Sequence, residues 1–137
     1  MAIYHVVCTG YKKPPTDKEL AEQAAMMDKG FSTRPHMETW AIGRYAGKPE
    51  DGYHSVAWVK FKDLEAFRTH MLAVHAPNEH ESLRAHVARL RAYEIVTPDE
   101  PSGTVEQVIQ CYKDRWAKFP EIQKVLREDV ITDFPYV

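Results

Sequence analysis

The chain opens on a run dense in β-branched and aromatic residues, Ile3 to Tyr11, which ends at Lys12-Lys13-Pro14-Pro15 and reads as a strand. Thr16 and Glu19 then form a Thr-x-x-Glu capping box ahead of an Ala-, Leu- and Met-rich stretch ending near Gly30, which predicts a helix. Strand-like alternation returns from about His36 to Tyr45 and from Tyr53 to Phe61. The turn-rich link Gly47-Lys48-Pro49-Glu50-Asp51-Gly52 between them predicts a hairpin. Asp63 is placed to cap a second helix, whose apolar residues Leu64, Phe67, Met71 and Val74 recur at helical steps. A short amphipathic segment from Ser82 to Leu90 leads into a last strand, Ala92 to Val96, closed by Thr97-Pro98.

Strand, helix, strand, strand, helix, strand is the order of a ferredoxin-like split βαβ sheet in the α+β class, with its helices on one face. The other face needs cover, and in so short a chain a second copy supplies it, so a homodimer is expected. In that arrangement His54, Val56 and Trp58 point toward the interface. Residues 1–98 make up this unit, and residues 99–137 form a C-terminal helical extension. In the extension, Val105, Val108, Ile109, Tyr112, Trp116 and Phe119 share a helical stripe, and Pro120 starts a further turn through Leu126. So much aromatic surface must dock, either on the sheet or as a lid over a pocket to which Trp116 contributes.

Composition narrows the function classes. The 137 residues are 44% hydrophobic and 28% charged, which suits one soluble domain. A net charge of -2 with scattered Lys and Arg offers no field for nucleic acid. No apolar run approaches a membrane span and no signal-peptide pattern opens the chain, so a cytoplasmic protein without a membrane partner is expected. Cys8 and Cys111 lie far apart with no CxxC spacing, which predicts two small buried hydrophobes in place of a disulfide or thiolate zinc site.

The candidate chemistry is carried by histidine. Alternation puts His5, Val7 and Thr9 on one face of the first strand, and Tyr53, Ser55, Ala57, Val59 and Phe61 on one face of the third. If these faces meet the helices they enclose an apolar space with a few polar groups, suited to a small aromatic substrate. The stretch His75-Ala76-Pro77-Asn78-Glu79-His80 follows the second helix. Its two histidines are five apart around a proline, so they do not share a helix face as an HExxH pair does. His70, His75, Glu79, His80, Glu81 and His86 could ligate a metal but show no recognised ligand spacing, so no metal is expected. General acid/base work by imidazole is the simpler role. Pro77 turns the chain so that a residue beyond it could swing over the face lined by His5, which favours His80 as principal acid/base. His75, nearer the helix end, would orient its neighbour or meet the helix dipole. His5 and His70 would be supporting polar groups.

The opening Met1-Ala2-Ile3-Tyr4-His5-Val6-Val7, the strand Glu50-Asp51-Gly52-Tyr53-His54-Ser55-Val56-Ala57-Trp58-Val59-Lys60-Phe61, the His/Pro loop and the closing strand before Thr97-Pro98 together resemble the stress-responsive dimeric α+β barrel (Dabb) family over roughly residues 1–98. The resemblance implies a ferredoxin-like sheet paired into a dimeric α+β barrel, with His5 lining a pocket that Ser55, Ala57 and Val59 face. His70 stands where the family's polyketide cyclases carry a tyrosine, and the histidine ending the family's HPxH motif corresponds to His80 or His75. The activity implied needs no cofactor. The reading taken forward is a lyase that cleaves a carbon-carbon bond of an aromatic or phenolic substrate in retro-aldol fashion and releases a small aldehyde. Polyketide cyclisation, the same acid/base chemistry in the bond-forming direction, stands beside it, as does a non-catalytic dimeric stress or ligand-binding protein.

Overall fold

A computed structural model describes residues 1–134 and 136–137. The elements run β1 (Ile3–Tyr11), α1 (Asp17–Phe31), β2 (Thr39–Arg44), β3 (Ser55–Phe61), α2 (Leu64–Met71), α3 (Glu79–His86), β4 (Val87–Val96), α4 (Thr104–Lys118), α5 (Pro120–Glu128) and β5 (Ile131–Asp133). The first four strands lie in the order β2-β3-β1-β4, every neighbouring pair antiparallel, which is the ferredoxin-like split βαβ arrangement. A short fifth strand, not anticipated from the sequence, joins the β4 edge in parallel and pairs Arg89, Leu90 and Arg91 with Ile131, Thr132 and Asp133.

The local signals act as their chemistry dictates. Thr16 and Glu19 close the capping box of α1 reciprocally, and the Asp63 carboxylate accepts the Ala66 N–H at 2.8 Å to start α2. Two boundaries differ from expectation. α2 stops at Met71, which leaves Val74 65% exposed in the following loop. The amphipathic segment Ser82–Leu90 divides: α3 ends at His86, and Val87 to Leu90 pair with Tyr11 to Thr9 as the start of β4. Ladder hydrogen bonds to a central strand outweigh the modest helical pattern of those four residues.

Cross-strand register sorts the sheet into two faces. Ile3, His5, Val7, Val59, Phe61 and Ala92 point toward the helices, where Ile3, Val59 and Phe61 share one core with Phe67 and Met71 of α2 and with Cys111, Tyr112 and Trp116 of α4. The extension is therefore part of the same packed core as the sheet. The opposite face carries Tyr4 and Val6 of β1, Val56 and Trp58 of β3, and Tyr93 and Ile95 of β4, with Tyr93 42% and Ile95 49% exposed. Val56 and Trp58 thus lie on the open face as alternation requires. His54 does not join them: it precedes β3, and its Nδ1 accepts the Tyr11 N–H at 2.9 Å.

Cys8 and Cys111 are both buried and unpaired. Among the described residues no helix is long and apolar enough to cross a membrane. α1, like α3, fully buries none of its side chains. α1 stands off the sheet over a cavity.

Candidate active site

Between the helix-facing side of the sheet and helices α1, α2, α3, α4 and α5 lies a cavity of about 500 Å³ with mainly apolar walls. β1 supplies His5 and Val7, β3 supplies Ala57 and Val59, and the extension supplies Tyr112, Arg115, Trp116 and Phe134. These positions follow from period-two alternation on the strands and the three- and four-residue spacing of α4.

The polar groups fall into two sets. In the first, the His5 Nδ1 lies 2.7 Å from the Glu94 Oε1, and the same oxygen accepts the Tyr112 hydroxyl. Glu94 shares the inner face of β4 with Ala92 and stands opposite His5 in the β1–β4 register. A carboxylate held there fixes the imidazole with its proton on Nδ1, so Nε2 is left as an acceptor. Burial first, and the Glu94 charge second, push the Tyr112 phenol well above its ordinary range, so it remains a hydrogen-bond donor.

In the second set, the His70 and His75 rings stack with centroids 4.3 Å apart, and His5 and His36 each lie 6.0 Å from His70. His75 folds back on α2 and donates from Nε2 to the His70 carbonyl at 2.8 Å, which leaves its Nδ1 as the lone-pair nitrogen. Burial, then the Arg115 charge, push His75 down to about 4, while its bond to the His70 carbonyl opposes them. Burial, with the positive field of its neighbours, carries His70 further below its ordinary range, and its Nδ1 is buried without a partner. Both rings are therefore neutral near neutral pH. Four imidazoles gather here, yet among the described residues no three metal-ligating side chains converge on a common point.

Arg115 holds this second set in place. Its guanidinium, 6% exposed, donates to the Met71 carbonyl at 2.7 Å, the Ala73 carbonyl at 3.3 Å and the Glu79 Oε2 at 3.2 Å. Lys118 takes the intervening Leu72 carbonyl at 2.6 Å. Side chains of α4 thus satisfy the carbonyl of Met71, the last residue of α2, and those of the two residues after it, from which the His75 loop continues. Desolvation raises the Glu79 carboxyl and lowers the Arg115 guanidinium, each opposed by the charge of the other.

Of the residues singled out from the sequence, His5, His70, His75, Val7, Ala57, Val59 and Trp116 line the cavity. His80 does not: its Nε2 faces the Glu121 Oε2 at 3.5 Å, on the side toward α5. The turn at Pro77 and Asn78, the latter at φ 53°, starts α3 at once, so Glu79 points inward and the next residue is rotated away by about 100°. Thr9, Tyr53, Ser55 and Phe61 also lie outside the cavity wall. Beside the irregularity at Gly10 and Tyr11, the tyrosine hydroxyl lies 3.5 Å from the Ser55 Oγ. Tyr53 precedes its strand and packs on Tyr45 and Arg89, while Phe61 is sealed under Phe67, His70 and His36. Glu94 and Arg115 were not singled out, and His36, Glu79 and Tyr112 were read in other roles: a strand start, a possible metal ligand and a member of the aromatic stripe. A carboxylate in phase with Ala92 and Val96, and an arginine within an apolar helical stripe, were the signals that could have found Glu94 and Arg115.

The fold and this cavity define an α+β chain of the ferredoxin-like class with a histidine-rich pocket on its helical side. Solved structures share the architecture. A Dabb family protein with a ferredoxin-like fold from Mesorhizobium loti is 18% identical, with 70% of this chain and 96% of that chain covered at a TM-score of 0.52. Hydroxynitrile lyase from Passiflora edulis is 17% identical, with 73% and 97% covered at a TM-score of 0.53. SnoaB, a cofactor-independent oxygenase from Streptomyces nogalater, is 16% identical, with 74% and 97% covered at a TM-score of 0.53. At these identities the likeness is one of fold, and it leaves more than a quarter of this chain without a counterpart. No family model and no curated protein matches the sequence.

Proposed function

We propose that the chain is a cofactor-independent lyase that cleaves a carbon-carbon bond of an aromatic β-hydroxy carbonyl compound in retro-aldol fashion, with His5 as the proton-transfer group. The observation that carries this reading is the His5–Glu94 contact of 2.7 Å at the wall of an apolar cavity. The Nε2 of His5 takes the substrate hydroxyl proton, and the electron pair of that O–H bond becomes the carbonyl of the departing aldehyde. The carbon-carbon bond breaks, its electrons remain on the carbonyl-bearing fragment as an enolate, and the imidazolium returns the proton there. Glu94 stabilises the imidazolium, and Tyr112 holds Glu94 in place. His70 and His75, kept neutral, offer uncharged polar contacts to substrate oxygens, and the apolar walls exclude water. That a hydroxynitrile lyase and a cofactor-independent oxygenase share this fold supports a catalytic role without an organic cofactor.

We further infer that two copies pair through the open sheet face, because Trp58, Tyr93 and Ile95 form apolar surface that one chain does not cover. The test of the activity is aldehyde release from aromatic β-hydroxy ketones and β-hydroxy-β-phenylpropanoate by purified protein, with His5→Ala as the control. Benzaldehyde formed above background only by the intact protein is the expected result. Ring closure of a linear polyketide mimic without any cleavage would replace the lyase by a cyclase. Inactivity on every compound would favour a binding protein.

A further inference from the structure

Arg34 is the charged side chain of the cavity wall whose charge nothing answers. It sits in the turn after α1, where its N–H donates to the Phe31 carbonyl at 2.9 Å and its own carbonyl accepts the Met37 N–H at 3.1 Å, so its backbone is pinned on both sides. The guanidinium carbon lies 5.6 Å from the Phe31 ring centre, and both residues line the cavity. Among the described residues its side chain has no carboxylate partner and no hydrogen bond. The carboxylates at and behind the cavity wall are engaged elsewhere: Glu79 with Arg115, and Glu94 with His5 and Tyr112. Arg115 is not free in the same way, because its charge is answered by Glu79 and three of its N–H donors go to Met71, Ala73 and Glu79.

The uncompensated charge is felt across the cavity. Burial and then Arg34 lower His36, and Arg34 is among the groups that lower His75. α1 leaves a gap beside it: Met26 lines the cavity although it is 75% exposed, and a Cβ added to Gly30 would meet nothing within 4 Å. An apolar wall, an open flank and a half-buried arginine without a partner describe one kind of ligand. A neutral apolar molecule would leave the guanidinium partly desolvated and unpaired, whereas a carboxylate matches its planar fork with two parallel hydrogen bonds.

We propose that this cavity takes an aryl or alkyl carboxylate whose acid group pairs with Arg34 at the α1 side while its apolar body fills the space toward His5. The inference rests on the reading of that cavity as the reaction site and narrows its substrate to a carboxylic acid. It is separable from the reaction, because binding does not require turnover.

The test is isothermal titration of the full chain with hydrocinnamate and with its uncharged amide at neutral pH. The acid should bind about tenfold or more tightly than the amide, the scale of a charge-assisted arginine contact over a neutral one. Arg34→Gln should abolish the difference by weakening the acid alone, Arg34→Lys should retain part of it, and Gly30→Leu, which fills the cavity mouth, should weaken both probes. His5→Ala should leave the preference intact. Equal binding of acid and amide, a preference that survives Arg34→Gln, indifference to Gly30→Leu, or no binding of either probe would each overturn the proposal. A clear preference in a protein that cleaves nothing would sink the lyase reading and leave this one standing.

Discussion

One oxygen of Glu94 accepts both the Nδ1–H of His5 and the hydroxyl of Tyr112, so the first strand and the C-terminal extension meet on a single carboxylate. The pair is well enclosed, with side-chain exposures of 15% for His5 and 7% for Glu94. An imidazole so held has one tautomer and one free nitrogen. Replacing Glu94 with Gln keeps the shape and removes the charge that stabilises the imidazolium. Turnover should fall about 100-fold in Glu94→Gln, and about 10-fold in Tyr112→Phe, in the range for groups that orient or supply a proton-transfer residue. The thermal midpoint should fall far less than activity. Unchanged kcat in Glu94→Gln would remove His5 from the reaction.

His80 offers a sharp contrast with His5. Its ring faces Glu121, away from the cavity, and the sequence pattern alone had favoured it. His80→Ala should keep turnover within about threefold of the intact protein, while His5→Ala should lose about 100-fold or more. Steady-state kinetics of the two variants decide the matter. Strong inactivation by His80→Ala alone would restore the earlier assignment and require α3 to turn in solution.

The neutral His70 and His75 predict an acid-sensitive fold. In the unfolded chain both imidazoles protonate near their ordinary value of 6.5, whereas native His75 resists until about 4 and native His70 resists further. Between those values the unfolded state binds more protons, so stability rises with pH and is lost as pH falls from about 7 toward about 4. Glu79, raised by burial, acts in the opposite sense and softens the slope above its ordinary carboxylate value. Thermal melts at about pH 7 and about pH 5 should show a lower midpoint at acid pH, and the slope should flatten in a His70→Phe, His75→Gln double variant. Equal slopes in the two proteins would assign the acid sensitivity to other groups.

Much of this was legible where chemistry is local. Thr16 with Glu19, and Asp63 ahead of Leu64, marked helix starts that the structure reproduces, and period-two alternation placed His5, Val7, Ala57 and Val59 on the cavity side. What escaped depended on tertiary partners. The identity of the inward histidine after Pro77 turns on which residue begins α3, and a shift of one position rotates the side chain by about 100°. Glu94 was in phase with the inner face of β4, but nothing in the sequence paired it with Tyr112, eighteen residues on. β5 is three residues long and exists only because β4 offers it an edge.

Arg115 should be worth more to stability than any surface charge of the extension. Its removal strands Glu79 and uncovers the Met71 and Ala73 carbonyls at the end of α2. Arg115→Met should therefore cost about 3 to 5 kcal/mol, the usual consequence of breaking a buried pair by taking one partner. Adding Glu79→Gln should recover part of that loss, since the uncompensated carboxylate disappears, while the α2 carbonyls stay unsatisfied. Urea unfolding of the two single variants and the double gives the coupling. Simple additivity would mean that the two side chains do not interact in solution.

The open face of the sheet yields the last prediction. Tyr4 and Trp58 rings lie 6.0 Å apart there, with Tyr93 42% and Ile95 49% exposed beside them, so the strands present a band of aromatic and aliphatic surface. Left in water, such a band costs about 25 cal/mol per Å² of apolar area, and a two-fold contact between copies would remove it from both at once. Light scattering at micromolar concentration should give twice the mass of one chain. Trp58→Glu, which sets a charge in the middle of the band on the face away from the cavity, should give single chains with a lower thermal midpoint. A stable monomer for the unaltered chain, or a Trp58→Glu dimer as tight as the original, would require another cover for this face.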